Sequence, residues 1–172
     1  HSLFSINDLT CIEIDQVIHN RQKFNLPLGC INLEHTSSDS FIANFFPDKN
    51  YVIWLDYASP KQIGQQINEL YALLQKMNEF DVIKITLNAN PNTIVDEKQF
   101  RLKKHVLEQV YEPEELYEGR LKELKSRIEY FPHDITVDMM NKKKYPHALC
   151  KILELTCISA LDGMANSLQP VS

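Results

Sequence analysis

An unbroken apolar run of strand length, driven straight into an acid, an aromatic and a proline, leaves a chain few folds to choose from. Tyr51–Pro60, YVIWLDYASP, is such a run. Tyr51, Val52, Ile53, Trp54 and Leu55 are β-branched, aromatic or aliphatic with no polar break, which predicts a strand buried on both faces, as in a parallel sheet. The run stops at Asp56 and Tyr57, and Ser59-Pro60 reads as an N-cap followed by proline at the first helical position. In open α/β sheets ligands bind in the crevice outside the carboxyl ends of the strands, so this boundary is the best-placed candidate for a working edge.

The flanking sequence repeats the pattern. LTCIEID, from Leu9, alternates as a strand and ends in acids. Gln16 to Phe24 carries Val17, Ile18, Arg21 and Phe24 at helical spacing and is closed by Asn25, Pro27 and Gly29. Cys30 to Glu34 predicts a second strand, running into the polar HTSSDS, after which Phe41, Ile42, Phe45 and Phe46 make a brief apolar helix or turn. From Pro60 to Asn78 the stripe Ile63, Ile67, Leu70, Tyr71, Leu74, Met77 predicts an amphipathic helix, and Val82 to Ala89 a fourth strand. Helical signals then dominate Asp96–Val110, Pro113–Ile128 and Pro146–Leu168, where ALCKILELTCISAL is apolar nearly all round and is expected to be buried. Strands alternating with helices imply right-handed crossovers. The expected fold is therefore α/β, a Rossmann-like, mostly parallel sheet with helices on both faces, followed by a mainly α-helical carboxyl-terminal part. One domain is expected over residues 1–172, with an alternating core over 1–92 and a helical extension over 93–172.

Composition narrows the functional classes. A net charge of −5 and a pI near 5.7 disfavour a protein built to coat nucleic acid. Two local basic clusters, Lys142-Lys143-Lys144 and Arg101 with Lys103 and Lys104, lack interleaved aromatics and read first as solvated faces, second as phosphate contacts. The longest apolar stretch, Leu149 to Leu161, is too short and interrupted to cross a bilayer. Cys11, Cys30, Cys150 and Cys157 form no CxxC pair and read as buried thiols in a reducing cytoplasm, while the six histidines show no close ligand spacing, so no metal site is expected. The opening HSLF resembles the end of a helix whose beginning is absent, so the chain is expected to be a fragment of a longer protein.

Polar residues gather at the predicted strand ends. Glu13 and Asp15 stand where nucleotide-binding α/β folds keep an acid for ribose hydroxyls, a carboxylate offering two acceptor oxygens to two vicinal donors; alternatively, such acids cap the following helix. Thr36, Ser37, Ser38 and Asp39 either contact an adenine or a substrate, or form a turn and an N-cap. Asp56 either acts as a base or orients a substrate nucleophile while Tyr57 stacks on a planar substrate, or the pair caps and packs the next helix. Asn88 and Asn90 complete the rim or make turns. Glu13, Thr36, Asp56 and Asn88 are expected to face one shared cleft.

Taken together, CIEID, CINLEHTSSDSFI, YVIWLDYASP and DVIKITLNAN resemble the second to fifth strands of a class I, Rossmann-like S-adenosylmethionine-dependent methyltransferase, more narrowly a bacterial group of O-methyltransferases. The resemblance covers about the first ninety residues. It implies S-adenosylmethionine as cofactor, with its ribose on Glu13 and Asp15 beside it, and its adenine near Thr36, Ser37 and Ser38. It also implies that Asp56-Tyr57-Ala58-Ser59-Pro60 faces the acceptor and the methyl group. The usual acid after the third strand is replaced by His35-Thr36-Ser37, with Asp39 close by. The glycine-rich turn of the first strand has no counterpart, since Gly29, Gly64, Gly119 and Gly163 make no GxG, and that unit is expected upstream of His1.

The expectation is thus a cytoplasmic methyltransferase acting on an unknown acceptor, with Asp56 and Tyr57 on the acceptor side. The rival is a non-catalytic Rossmann-like subunit of a bacterial assembly, in phage defence for example, whose protein partner docks on the carboxyl-terminal helices. A nucleic-acid-modifying enzyme using the lysine clusters is not favoured, and no membrane association is expected.

Overall fold

In the computed structural model the described residues are 8–57, 59–103 and 113–167, with side chains described throughout except at 101–103 and 163–167. The opening HSLF, Ala58, the expected helix beyond Lys103, and the side chains of Arg101, Lys103 and Lys104 lie outside them. Among the described residues four strands alternate with helices as anticipated, and helices alone follow the last strand, six α-helices in all. They fall into two compact units, residues 1–46 and 47–172.

In the first unit β1 (Leu9–Glu13) and β2 (Ile31–His35) pair in parallel, from Leu9 opposite Ile31 to Glu13 opposite His35, with α1 (Gln16–Phe24) as the crossover. Asp15 is the N-cap of α1, its Oδ1 accepting from the amides of Val17 at 2.8 Å and Ile18 at 2.9 Å. α2 (Ser38–Ala43) follows β2, and Ile42 and Phe45 beside it are the buried apolar side chains of this unit's described residues.

In the second unit β3 (Val52–Asp56) pairs in parallel with β4 (Val82–Thr86), Val52 opposite Val82 and Asp56 opposite Thr86. Pro60–Gln62 makes a single 3-10 turn leading into α3 (Ile63–Leu74). α4 (Glu97–Lys103), α5 (Pro113–Arg127) and α6 (Tyr145–Ser167) follow. One core joins α3, α5 and α6 through Ile63, Ile67, Leu124, Ile128, Leu149 and Ile152. At closest approach Gly64 of α3 lies against the Arg127 carbonyl at the end of α5, where a Cβ would collide with backbone.

Four expectations are corrected. The strands form two two-stranded parallel sheets, not one continuous sheet, because β1 and β3 each pair along a single edge among the described residues. β3 is buried on one face only: Ile53 and Leu55 point into the core, while Val52 and Trp54 are exposed, the latter covered by Lys84 with its Nζ 3.7 Å from the ring centroid. α6 buries a single stripe, Tyr145, Ala148, Leu149, Ile152, Thr156 and Ala160, and leaves Ile158 and Leu161 in solvent, because only one side of the helix faces α3 and α5. None of the cysteines is buried; Cys11 and Cys150 are exposed, Cys30 and Cys157 are half-buried, and no disulfide forms among the described residues. No helix among the described residues is long and apolar enough to cross a membrane.

Candidate functional site

The carboxyl edge of the β3–β4 ladder is built by short-range chemistry. Asp56 is the last residue of β3, and the amide of Tyr57 extends the ladder by donating to the Thr86 carbonyl at 3.2 Å. Asp56 is exposed and, among the described residues, its carboxylate makes no hydrogen bond. It does not cap the helix that follows. Ser59 holds the N-cap position of the 3-10 turn without a side-chain bond, its carbonyl instead accepting from Gln66 Nε2 at 2.5 Å.

Tyr57 is fixed differently. Its ring is half-buried and its hydroxyl donates to Glu69 Oε2 on α3 at 2.6 Å, while Gln65 Nε2 donates to Glu69 Oε1 at 2.7 Å. Glu69 is only 6% exposed, so both oxygens of a buried carboxylate are satisfied, as burial demands. Burial, then the hydrogen bond to Glu69 and its charge, raise the Tyr57 phenol well above the usual tyrosine range, so at neutral pH it is a fixed donor. Asn88 and Asn90 make turns: Asn88 Oδ1 accepts from the Asn90 amide at 2.9 Å, and Asn90 Oδ1 from the Asn92 amide at 3.1 Å.

At the carboxyl edge of the β1–β2 ladder, Glu13 and His35 are register partners. Glu13 Oε1 accepts from the Asp15 amide at 2.8 Å, leaving Oε2 without a protein partner among the described residues. His35 Nε2 donates to the Ile14 carbonyl at 2.9 Å, which fixes its tautomer, and its ring lies 5.4 Å from that of His19. Thr36 is half-buried, Ser37 is the N-cap of α2 with its Oγ accepting from the Ser40 amide at 3.4 Å, and Ser38 opens that helix. The hydrogen bond from Ser37, with the Ser40 amide, holds Asp39 below the ordinary carboxylate range.

Glu13 and Thr36 therefore stand at the carboxyl end of the first ladder, and Asp56 and Asn88 at or just beyond that of the second. Asp15 and Ser37 are spent on helix caps, whereas Asp56 is exposed and one oxygen of Glu13 has no partner among the described residues. Sequence reasoning missed Gln66 and Glu69. Their spacing from Ile63 and Leu73 on the buried side of α3 is the signal that finds them, since a polar residue on an apolar stripe needs a partner. No group of three or more His, Cys, Asp or Glu among the described residues is placed to hold a metal ion.

Comparison with known proteins decides the family. A family model described as Putative O-methyltransferase matches residues 1–171. The chain belongs to that family. No curated protein and no solved structure gives a match. Membership of this O-methyltransferase family implies a methyl donor. Among the described residues Glu13, at the end of a parallel strand, keeps one carboxylate oxygen without a hydrogen-bond partner.

Proposed function

We propose that the chain acts as an S-adenosylmethionine-dependent methyltransferase on an acceptor hydroxyl, within a Rossmann-like fold. When bound, the donor supplies an electrophilic methyl group, and transfer is then largely a matter of positioning. In this reading Glu13 accepts from the donor's ribose, with Asp15 holding α1 in place beside it, and Thr36, Ser37 and Ser38 border the adenine. Asp56 accepts the proton of the acceptor hydroxyl or orients it, and Tyr57, pinned by Glu69, forms the fixed wall next to it.

The observation that carries the proposal is the contrast at the end of β3. Tyr57 is locked, while Asp56, delivered by the same strand to a fixed point, has no protein partner among the described residues. The strand pairings support it as well. In the doubly wound order 3-2-1-4-5-6 the second strand pairs with the third and the fourth with the fifth, which are the pairings of β1 with β2 and β3 with β4. The strand that lies between those pairs in that order has no counterpart among the described strands.

Titration calorimetry with S-adenosylmethionine tests the donor half. Glu13→Ala is expected to weaken binding by about tenfold, the worth of one hydrogen bond to a charged acceptor. Asp56→Asn tests the acceptor half: across a panel of hydroxylated small molecules, S-adenosylhomocysteine release should fall by about 10²–10⁴-fold, the usual weight of a positioned acid or base, with donor affinity unchanged. Donor binding that ignores Glu13→Ala, or turnover that ignores Asp56→Asn, overturns the corresponding assignment.

A further inference from the structure

The lysine run before α6 finds a use that the methyltransferase reading does not call on. We propose that a cavity of about 550 Å³ between α5 and the start of α6 is a binding site for a small organic phosphate. Three of its lining side chains are cationic, Arg120, Lys142 and Lys143, against one carboxylate, Glu97.

Arg120 is 3% exposed and rigidly placed. Its Nε donates to the Val95 carbonyl at 3.2 Å, Nη1 to the Met140 carbonyl at 3.1 Å and Nη2 to Asn92 Oδ1 at 2.5 Å. The segment carrying the lysines is equally fixed. Asn141 Nδ2 donates to the Asp138 carbonyl at 2.6 Å, and Asn141 Oδ1 accepts from the amides of Lys143 at 2.8 Å and Lys144 at 3.0 Å. Lys144 is consumed in a 2.6 Å ion pair with Asp138, whereas Lys142 and Lys143 are exposed and form no ion pair among the described residues. The cavity thus joins one buried, pre-ordered guanidinium to two exposed ammonium groups on a braced backbone. A multiply charged anion recruits all three, and its attraction to them is stronger here than on an open surface because the buried member sits in low dielectric.

The remaining wall says what the anion is attached to. Leu116 and Tyr117 line the cavity, and the Arg120 guanidinium carbon lies 5.8 Å from the Tyr117 ring centroid. A flat apolar body packs there while its phosphate reaches the cations, and a space of this size is in the range of small-molecule sites.

The site does not depend on the methyl donor, so the probe is chosen to resemble no part of it: phenyl phosphate, with phenol as its uncharged counterpart. By calorimetry on the whole chain, phenyl phosphate should bind at least tenfold more tightly than phenol, with an affinity that falls as salt is raised. Inorganic phosphate should compete with it. The double variant Lys142→Ala/Lys143→Ala should bind phenyl phosphate at least tenfold more weakly, with unchanged melting temperature and unchanged affinity for S-adenosylmethionine. Amide NMR shifts induced by phenyl phosphate should centre on Asn141, Lys142 and Lys143. Equal affinity for phenol, parent-like binding by the double variant, no binding at all, or shifts centred elsewhere would each overturn the proposal. Arg120 is left intact in these tests because its bonds to Val95, Met140 and Asn92 make its loss a folding defect as well.

Discussion

The hydroxyl of Tyr57 and the carboxylate of Glu69, twelve positions apart in the chain, hold the turn after β3 against the flank of α3. Tyr57→Phe removes the donor and leaves one oxygen of a buried acid unsatisfied, which should lower stability by about 1–3 kcal/mol in urea denaturation. Asp56 should suffer no such loss when neutralised, since nothing in the described protein leans on it. Tyr145 sets a pH limit. Burial pushes its phenol up to about 12, against the pull of Arg127 and Arg120 in the other direction, from an ordinary value of 10.0. Below pH 10 folded and unfolded chains both keep the proton. Between pH 10 and 12 the unfolded chain releases it and the folded chain does not, so the folded state loses ground, by on the order of 2–3 kcal/mol at pH 12. The alkaline stability curve of Tyr145→Phe, set beside that of the parent, isolates this contribution. At this scale the sequence was legible in part. The outward placement of Asp56 follows from where an apolar run ends, but the employment of Asp15 and Ser37 as caps, rather than as free ligand groups, depends on hydroxyl and carboxyl geometry that spacing does not fix.

Elements emerged from hydrophobic period with little error, because α5 starts at a proline, Pro113, and β4 follows the polar Asn78–Asp81 turn. Faces were harder to read. The stripe on α3 takes in Gln66 and Glu69 because their polar ends are paired with Ser59 and Tyr57 in the turn after β3, and a polar residue with a partner is invisible to a hydrophobicity pattern. The same helix contains its own test. Gly64→Ala adds helix propensity worth about 1 kcal/mol, yet the new methyl meets the Arg127 carbonyl, and backbone cannot step aside as a side-chain tip can. The collision should win, with a net loss of about 1–3 kcal/mol by denaturant titration. Gly29→Ala, with open space around it, is the control and should change little.

At the level of the whole chain, the alternation of strand and helix correctly indicated an α/β protein with parallel pairs, because parallel strands require a crossover and each crossover leaves a helix in the sequence. What alternation cannot reveal is where one ladder stops and another begins, since pairing along an edge depends on which strands are at hand. The first unit's described residues bury only Ile42 and Phe45 as apolar side chains, whereas the second unit has a shared core from Ile63 to Ile152. Hydrogen exchange should therefore run faster at β1 and β2 amides than at β3 and β4, and mild urea should widen the gap. Equal protection would show that the two units open together. Trp54 gives this chain an internal optical gauge. It is the single tryptophan, its indole Nε1–H donates to Thr86 Oγ1 at 3.0 Å across the ladder, and it stands two residues before Asp56. Its emission responds both to the parting of β3 from β4 and to a molecule arriving at the end of β3, so folding and occupancy can be followed by light without attaching a dye.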